Sequence, residues 1–103
     1  MALDFCIRNN HDEIILSTPI SLSLFEDITS KVKTDSRFHL IPQKMDDYYS
    51  DSEIYISELP NLKNELMMLQ NEMRVDHSES CYLLIKLCEI ALTLNKTISL
   101  IAD

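Results

Sequence analysis

Ala2-Leu3-Asp4-Phe5-Cys6-Ile7-Arg8-Asn9-Asn10-His11-Asp12-Glu13-Ile14-Ile15-Leu16-Ser17-Thr18 decides whether this chain is helical throughout or mixes strands with helices. Leu3, Phe5 and Ile7 alternate with Ala2, Asp4 and Cys6, the period-two pattern of a strand with one face in a core. Asn9-Asn10-His11-Asp12 is a cluster of turn formers. Ile14-Ile15-Leu16 is a second short strand that folds back on the first as a hairpin, and Pro19 ends it.

Outward from the hairpin the period changes to that of a helix. Over 21–33, Leu24, Phe25, Ile28 and Val32 form a buried stripe, with Ser21 as N-cap and Glu26 and Asp27 near the start. Phe38-His39-Leu40-Ile41, before Pro42, is either a short edge strand or an extended connector. Glu53-Ile54-Tyr55-Ile56 alternates and is another short strand, or the rigid end of the loop before it. From Ser57 the clearest helix begins. Pro60 is tolerated in its first turn, and Leu59, Leu62, Leu66, Leu69 and Met73 are spaced 3, 4, 3, 4. Met67 and Met68 fall just past that seam, so at least one of them points away from it.

Asp76-His77-Ser78-Glu79 has capping-box spacing ahead of a wide apolar face that includes Cys81, Leu84, Ile85, Cys88 and Ala91, which predicts a long helix over 79–94. The helices of 58–74 and 79–94 form an antiparallel hairpin. Asn95-Lys96 stops the second, and Thr97-Ile98-Ser99-Leu100-Ile101 is a strand that returns to pair with the hairpin, since a lone exposed strand invites aggregation. The expected fold is therefore α+β: a small antiparallel sheet, made of the N-terminal hairpin plus the C-terminal strand, with about three helices packed on one face. The 103 residues form a single domain, 1–103, large enough to bury a core and too small for two. No glycine is present, so positive-φ positions must be filled by Asn9, Asn10 or Asn95.

Composition bounds the function. With 46% hydrophobic and 25% charged residues the chain is a folded protein and not a disordered tail. A net charge of −8 and a pI near 4.7 argue against nucleic acid, whose phosphates require clustered Lys and Arg, and point to basic or neutral partners. Cys6, Cys81 and Cys88 make an odd count without CxxC spacing, which reads as reduced core thiols of a cytoplasmic protein. Asp4 stands where a signal peptide would be basic, and no apolar run reaches a membrane span of about 20 residues. Without glycine neither a phosphate-binding P-loop nor a dinucleotide fingerprint can form. His11, His39 and His77 stand singly in predicted loops or at an edge, so no nucleophile has a positioned base. The scattered Cys and His do not make a zinc site. The reading is of a protein that is not an enzyme, with no catalytic residues, no metal and no cofactor.

What remains is the mid-chain segment Met45-Asp46-Asp47-Tyr48-Tyr49-Ser50-Asp51-Ser52-Glu53-Ile54-Tyr55. Between Gln43 and Glu58, five carboxylates stand against Lys44, which is half of the net charge of −8. A calcium loop of the EF-hand kind would need a glycine and a twelfth-position Glu that are missing, and a general acid–base pair would need a cleft. Two readings stay open. In one, Asp46, Asp47, Asp51 and Glu53 face Lys and Arg of a partner while Tyr48, Tyr49 and Tyr55 supply rigid contact area. In the other the segment is a solvated acidic loop with Tyr48 or Tyr49 packed on the core.

Met1-Ala2-Leu3-Asp4-Phe5, Asp47-Tyr48-Tyr49-Ser50-Asp51 with Glu58-Leu59-Pro60 behind it, and Ile101-Ala102-Asp103 resemble small bacterial immunity-type proteins of polymorphic or contact-dependent toxin systems. The Tyr pair flanked by carboxylates is also similar, locally, to the toxin-binding segment of colicin-DNase immunity proteins, which are all-helical. What the resemblance implies is a cytoplasmic protein that binds a cognate toxin domain, such as a nuclease, over its basic active face, with Asp46, Asp47, Tyr48, Tyr49 and Asp51 in the binding role. A second reading is a regulatory or adaptor module that forms a homodimer, or binds a partner, through the helix of 59–73.

Overall fold

The computed structural model describes residues 3–102. Met1, Ala2 and Asp103, on which part of the expected first strand and of the resemblance rests, lie outside the described residues. The order is β1 (Leu3–Arg8), β2 (Ile14–Ile20), α1 (Leu22–Val32), α2 (Leu40–Lys44), β3 (Ser52–Ile54), a 3-10 turn (Ile56–Glu58), α3 (Leu59–Gln70), α4 (Val75–Leu94) and β4 (Ile98–Ala102). The four strands form one antiparallel sheet in the order β2-β1-β4-β3. The α+β expectation holds, with β3 as a fourth strand and α2 as a fourth helix.

The register follows the alternation in β1. Phe5 pairs with Thr18 on one side and Leu100 on the other, and Ile7 with Leu16 and Ile98, so one face of the sheet carries Leu3, Phe5, Ile7, Ile20, Ile54, Ile98 and Leu100. All seven join the helices in one continuous core. The other face carries Asp4, Cys6, Ser17, Ser99 and Glu53 by the same alternation. After Ile7 the pairing jumps to Arg8 opposite Ile14, which leaves Ile15 as the extra residue of a bulge in the edge strand.

The turns solve the missing-glycine problem in two ways. Asn95 ends α4 in the left-handed region at φ 57°, as its position predicts. In the β1–β2 turn, however, the positive φ of 62° falls on Asp12, not on Asn9 or Asn10. The side chain of Asn9 is occupied, accepting from the N–H of His11 (2.8 Å) and of Glu13 (3.0 Å).

The stretch from Phe38 to Ile41 is neither strand nor extended connector. Phe38 is buried, and a short helix follows. Five residues make a marginal helix, and the reason this one forms lies on α3. Glu65, 5% exposed, accepts the N–H groups of His39 (3.3 Å), Leu40 (3.0 Å) and Ile41 (3.0 Å), while Pro42 has no N–H to satisfy. One carboxylate thus caps the whole first turn of α2.

The helical hairpin begins and ends differently from its sequence reading. A 3-10 turn precedes α3, which stops at Gln70, and α4 starts at Val75, ahead of Glu79. Leu59, Leu62, Leu66 and Leu69 are at most 1% exposed, so the seam of α3 is spent within the molecule. Met67 points outward, as its place beside that seam implies, and Met68 packs against the core. Cys81 and Cys88 are core residues; the thiol of Cys81 donates to the Leu66 carbonyl at 3.3 Å. Burial pushes the Cys81 thiol up to about 11 and that of Cys88 to about 12. Among the described residues no helix is long and apolar enough to cross a membrane.

Candidate functional site

The acidic segment leaves α2 at the buried Met45 and crosses one end of the sheet. Asp46 and Asp47 are exposed, and Asp47 folds the chain into a tight turn, accepting from the Tyr49 N–H (2.9 Å) and the Ser50 hydroxyl (2.9 Å). Those two bonds favour its ionised form and hold its pKa below the usual carboxylate value. Asp51 accepts the backbone N–H of Ala102 at 2.8 Å, and Glu53 accepts the Ser99 hydroxyl on both oxygens at 3.0 Å. Three of the four carboxylates therefore fix the segment to itself or to β4 while keeping their charge at the surface.

Past the turn at Asp47 one tyrosine is buried and the other exposed. Tyr48 is 8% exposed, its O–H donates to the Ile20 carbonyl at 2.9 Å, and its ring meets Phe25 edge-on with centroids 5.1 Å apart. Tyr49 is 57% exposed and borders a shallow groove with Pro19 and Leu22. The expectation that Tyr48 belongs to the contact surface is corrected: its ring fills the core where the sheet end would otherwise be open, and its hydroxyl satisfies an end-of-strand carbonyl. Tyr55 is also 57% exposed, with Lys44 Nζ 5.0 Å from its ring centroid. Lys44 pairs with Glu58 at 3.2 Å, and Glu58 accepts the Tyr55 N–H at 3.0 Å, bonds that lower the Glu58 pKa. Asp46, Asp47, Tyr49, Asp51, Glu53 and Tyr55 are thus exposed residues of one segment, and Tyr48 is its buried peg.

Among the described residues no three carboxylate, imidazole or thiol groups converge as a metal site requires. One constellation did escape the sequence. His77 does not stand singly: it is 7% exposed in the first turn of α4, with Nδ1 2.7 Å from Asp27 Oδ2 and Nε2 3.1 Å from Ser23 Oγ. With the proton on Nδ1, the ring donates to Asp27 and accepts from the Ser23 hydroxyl. Asp27 also pairs with Lys31 at 3.0 Å; burial raises its pKa, but the bonds from His77 and Lys31 outweigh it and hold the carboxyl below its usual value. Ser23 and Asp27 sit one turn apart on α1, whereas His77 lies 54 and 50 residues further on, a separation that no spacing rule spans.

The order of atoms is that of a serine nucleophile, a base and an orienting acid. What such a nucleophile needs next is an oxyanion site, commonly including the N–H of the residue after it. Here that N–H, of Leu24, donates to Ser21 Oγ at 3.1 Å, and the following one, of Phe25, donates to the Ser21 carbonyl at 2.9 Å. The amides are consumed by the helix cap. The trio ties α1 to the start of α4.

A second surface contrasts with the acidic one. The edge strand β2 is uncharged along its length, and Ile14, Ile15 and Leu16 are 41–54% exposed. Beside it, Leu16 shares a groove of ≈ 270 Å³ with Leu83, Leu87 and Ile90 of α4. No family model, no curated protein and no solved structure matches the chain, so what it is similar to is given by its own geometry alone.

Proposed function

We propose that the protein is a non-catalytic, acidic binding protein of the immunity type, which acts in the cytoplasm by covering the cationic face of a cognate toxin domain such as a nuclease. The observation that carries this reading is the exposed acidic segment, in which Asp46, Asp47, Asp51 and Glu53 flank the exposed Tyr49 in sequence and Tyr48 is anchored in the core. Its carboxylates are pre-positioned by backbone and hydroxyl bonds, so little ordering is required when a basic surface arrives. Tyr49 and Tyr55 are the amphipathic anchors, and the charge of −8 speeds encounter with a cationic partner. Masking the face where phosphate binds would block the toxin without any chemistry on the part of the inhibitor.

The test is co-expression with the product of the adjacent upstream gene. The expected result is a co-purifying complex and protection from toxicity; neither complex nor protection refutes the reading. In the complex, Asp46→Asn with Glu53→Gln should slow association and flatten its salt dependence, while association rates that ignore ionic strength would remove the electrostatic part.

A further inference from the structure

An open groove of ≈ 530 Å³ between α1 and the start of α4 is lined by Ser23, Asp27, His77 and Arg74, and takes no residue from the acidic segment. Burial is graded along the trio: His77 is 7% exposed and the Asp27 side chain 18%, whereas Ser23 is exposed. The imidazole is shielded and its carboxylate partner held by Lys31, while the hydroxyl on Nε2 stays within reach of solvent. Ser21 takes the N–H groups of Leu24 and Phe25, but the N–H of Ser23 itself makes no hydrogen bond among the described residues and is one donor for an oxyanion. Ser30 provides the contrast. It lines the same groove and is exposed, yet its hydroxyl donates to the Asp27 carbonyl at 2.9 Å and has no imidazole partner among the described residues.

We propose that Ser23 is an acyl-acceptor site, which takes one acyl group from a donor whose leaving group departs as a stable anion, with His77 as the base and Asp27 as its positioning residue. In the step, Ser23 Oγ bonds to the acyl carbon and gives its proton to His77 Nε2. The bond from that carbon to the leaving atom breaks, the leaving group departs with the electron pair, and His77 releases the proton to water. The donor class follows from the hydrogen bonds on offer. A full oxyanion hole has two amides and this site has one; a missing donor costs about 10²–10³ in rate, so the acyl group must bring its own good leaving group. The same deficit keeps the product. Hydrolysis of the serine ester would have to expel an alkoxide, a far poorer leaving group, so Ser23 is modified once and does not turn over. This inference does not rest on the immunity reading.

Treatment of the whole protein with p-nitrophenyl acetate, followed by peptide mass spectrometry, tests it. Ser23 should be acetylated at least about a hundredfold faster than Ser30, and the ester should persist after the reagent is removed. His77→Gln should slow acetylation of Ser23 by at least about a hundredfold in a protein whose far-UV circular dichroism is unchanged. Because that residue is buried, the unaltered protein supplies a separate check: long-range ¹H–¹⁵N spectra should place the proton of the neutral His77 ring on Nδ1. Asp27→Asn should move that proton to Nε2 and slow acetylation of Ser23 by at least about tenfold. Equal acetylation of Ser23 and Ser30, a folded His77→Gln protein that reacts at the original rate, or a proton on Nε2 in the unaltered protein overturns the proposal. So does a steady release of nitrophenolate that Ser23→Ala abolishes, which would make the site a hydrolase.

Discussion

The two edges of the sheet are built on opposite principles. At the β3 edge the surface is crowded with carboxylates, yet Asp47, Asp51 and Glu53 are each tied to a backbone N–H or a hydroxyl, so the charge is held in place. At the β2 edge there is no charge, three aliphatic side chains stand in solvent, and a bulge at Ile15 interrupts the ladder. The difference teaches that the two edges offer different chemistry: fixed negative charge at the first, uncharged aliphatic surface at the second. It also isolates a weak point, because the acidic segment is hydrogen-bonded to the end of β2 through Tyr48, whose hydroxyl donates to the Ile20 carbonyl.

The largest predicted effect comes from cutting that link. Tyr48→Ala removes a buried ring from against Phe25 and leaves the Ile20 carbonyl unpaired, which should cost about 3–5 kcal/mol of stability in urea unfolding. Tyr48→Phe keeps the ring and should cost about 1 kcal/mol. If the alanine variant lost less than about 1 kcal/mol, Tyr48 would not be the peg and the two edges would be independent.

How much of this was legible in the sequence depended on whether the deciding contact was local. The hairpin, the seams of α1 and α3 and the C-cap at Asn95 were readable because alternation, 3.6-residue periodicity and turn chemistry act within a few residues. α2 was not, since its helical state is imposed by Glu65 from 24 to 26 residues away. The same limit hid the His77 clamp. For the acidic segment the composition marked the surface correctly as charged, but two adjacent tyrosines give no signal of which one turns inward. That was decided by the Asp47 turn and the gap over Phe25.

The second effect in size tests whether the acidic edge is also braced from α2. Glu65→Gln replaces one acceptor oxygen by an NH₂ group facing N–H donors, so at least one amide of the first turn is left unsatisfied. The expected cost is about 1–3 kcal/mol. Hydrogen exchange should accelerate at Leu40 and Ile41 and in the segment that follows, while the strands β1 and β2 keep their protection. Uniform acceleration over the whole chain would show that the two edges do not open separately.

Acid gives a graded version of the same comparison. Asp27, Asp47 and Glu58 have pKa values below their ordinary 3.8 to 4.5 in the folded protein. A depressed folded pKa contributes stability above the unfolded value and loses it as pH falls through the folded one, so stability should be flat down to about pH 5 and decline below about pH 4. Asp27 and its clamp hold α1 to α4, whereas Asp47 and Glu58 hold the acidic edge; Asp27→Asn should therefore blunt the acid loss sensed in the helices and leave that of the segment unchanged.

The smallest effect on stability is the one that bears most on function. Tyr49→Ala truncates a ring that is 57% exposed and makes its close ring contact with Tyr48, at 5.4 Å between centroids, so unfolding should shift by no more than about 0.5 kcal/mol. In a complex with a cationic partner the same change removes one of the two exposed aromatic anchors of the acidic segment, and dissociation should quicken by at least about tenfold. A Tyr49→Ala protein that unfolded easily would mean that both tyrosines serve the fold. The acidic edge would then be left with Tyr55 as its one exposed tyrosine free of a role in the fold.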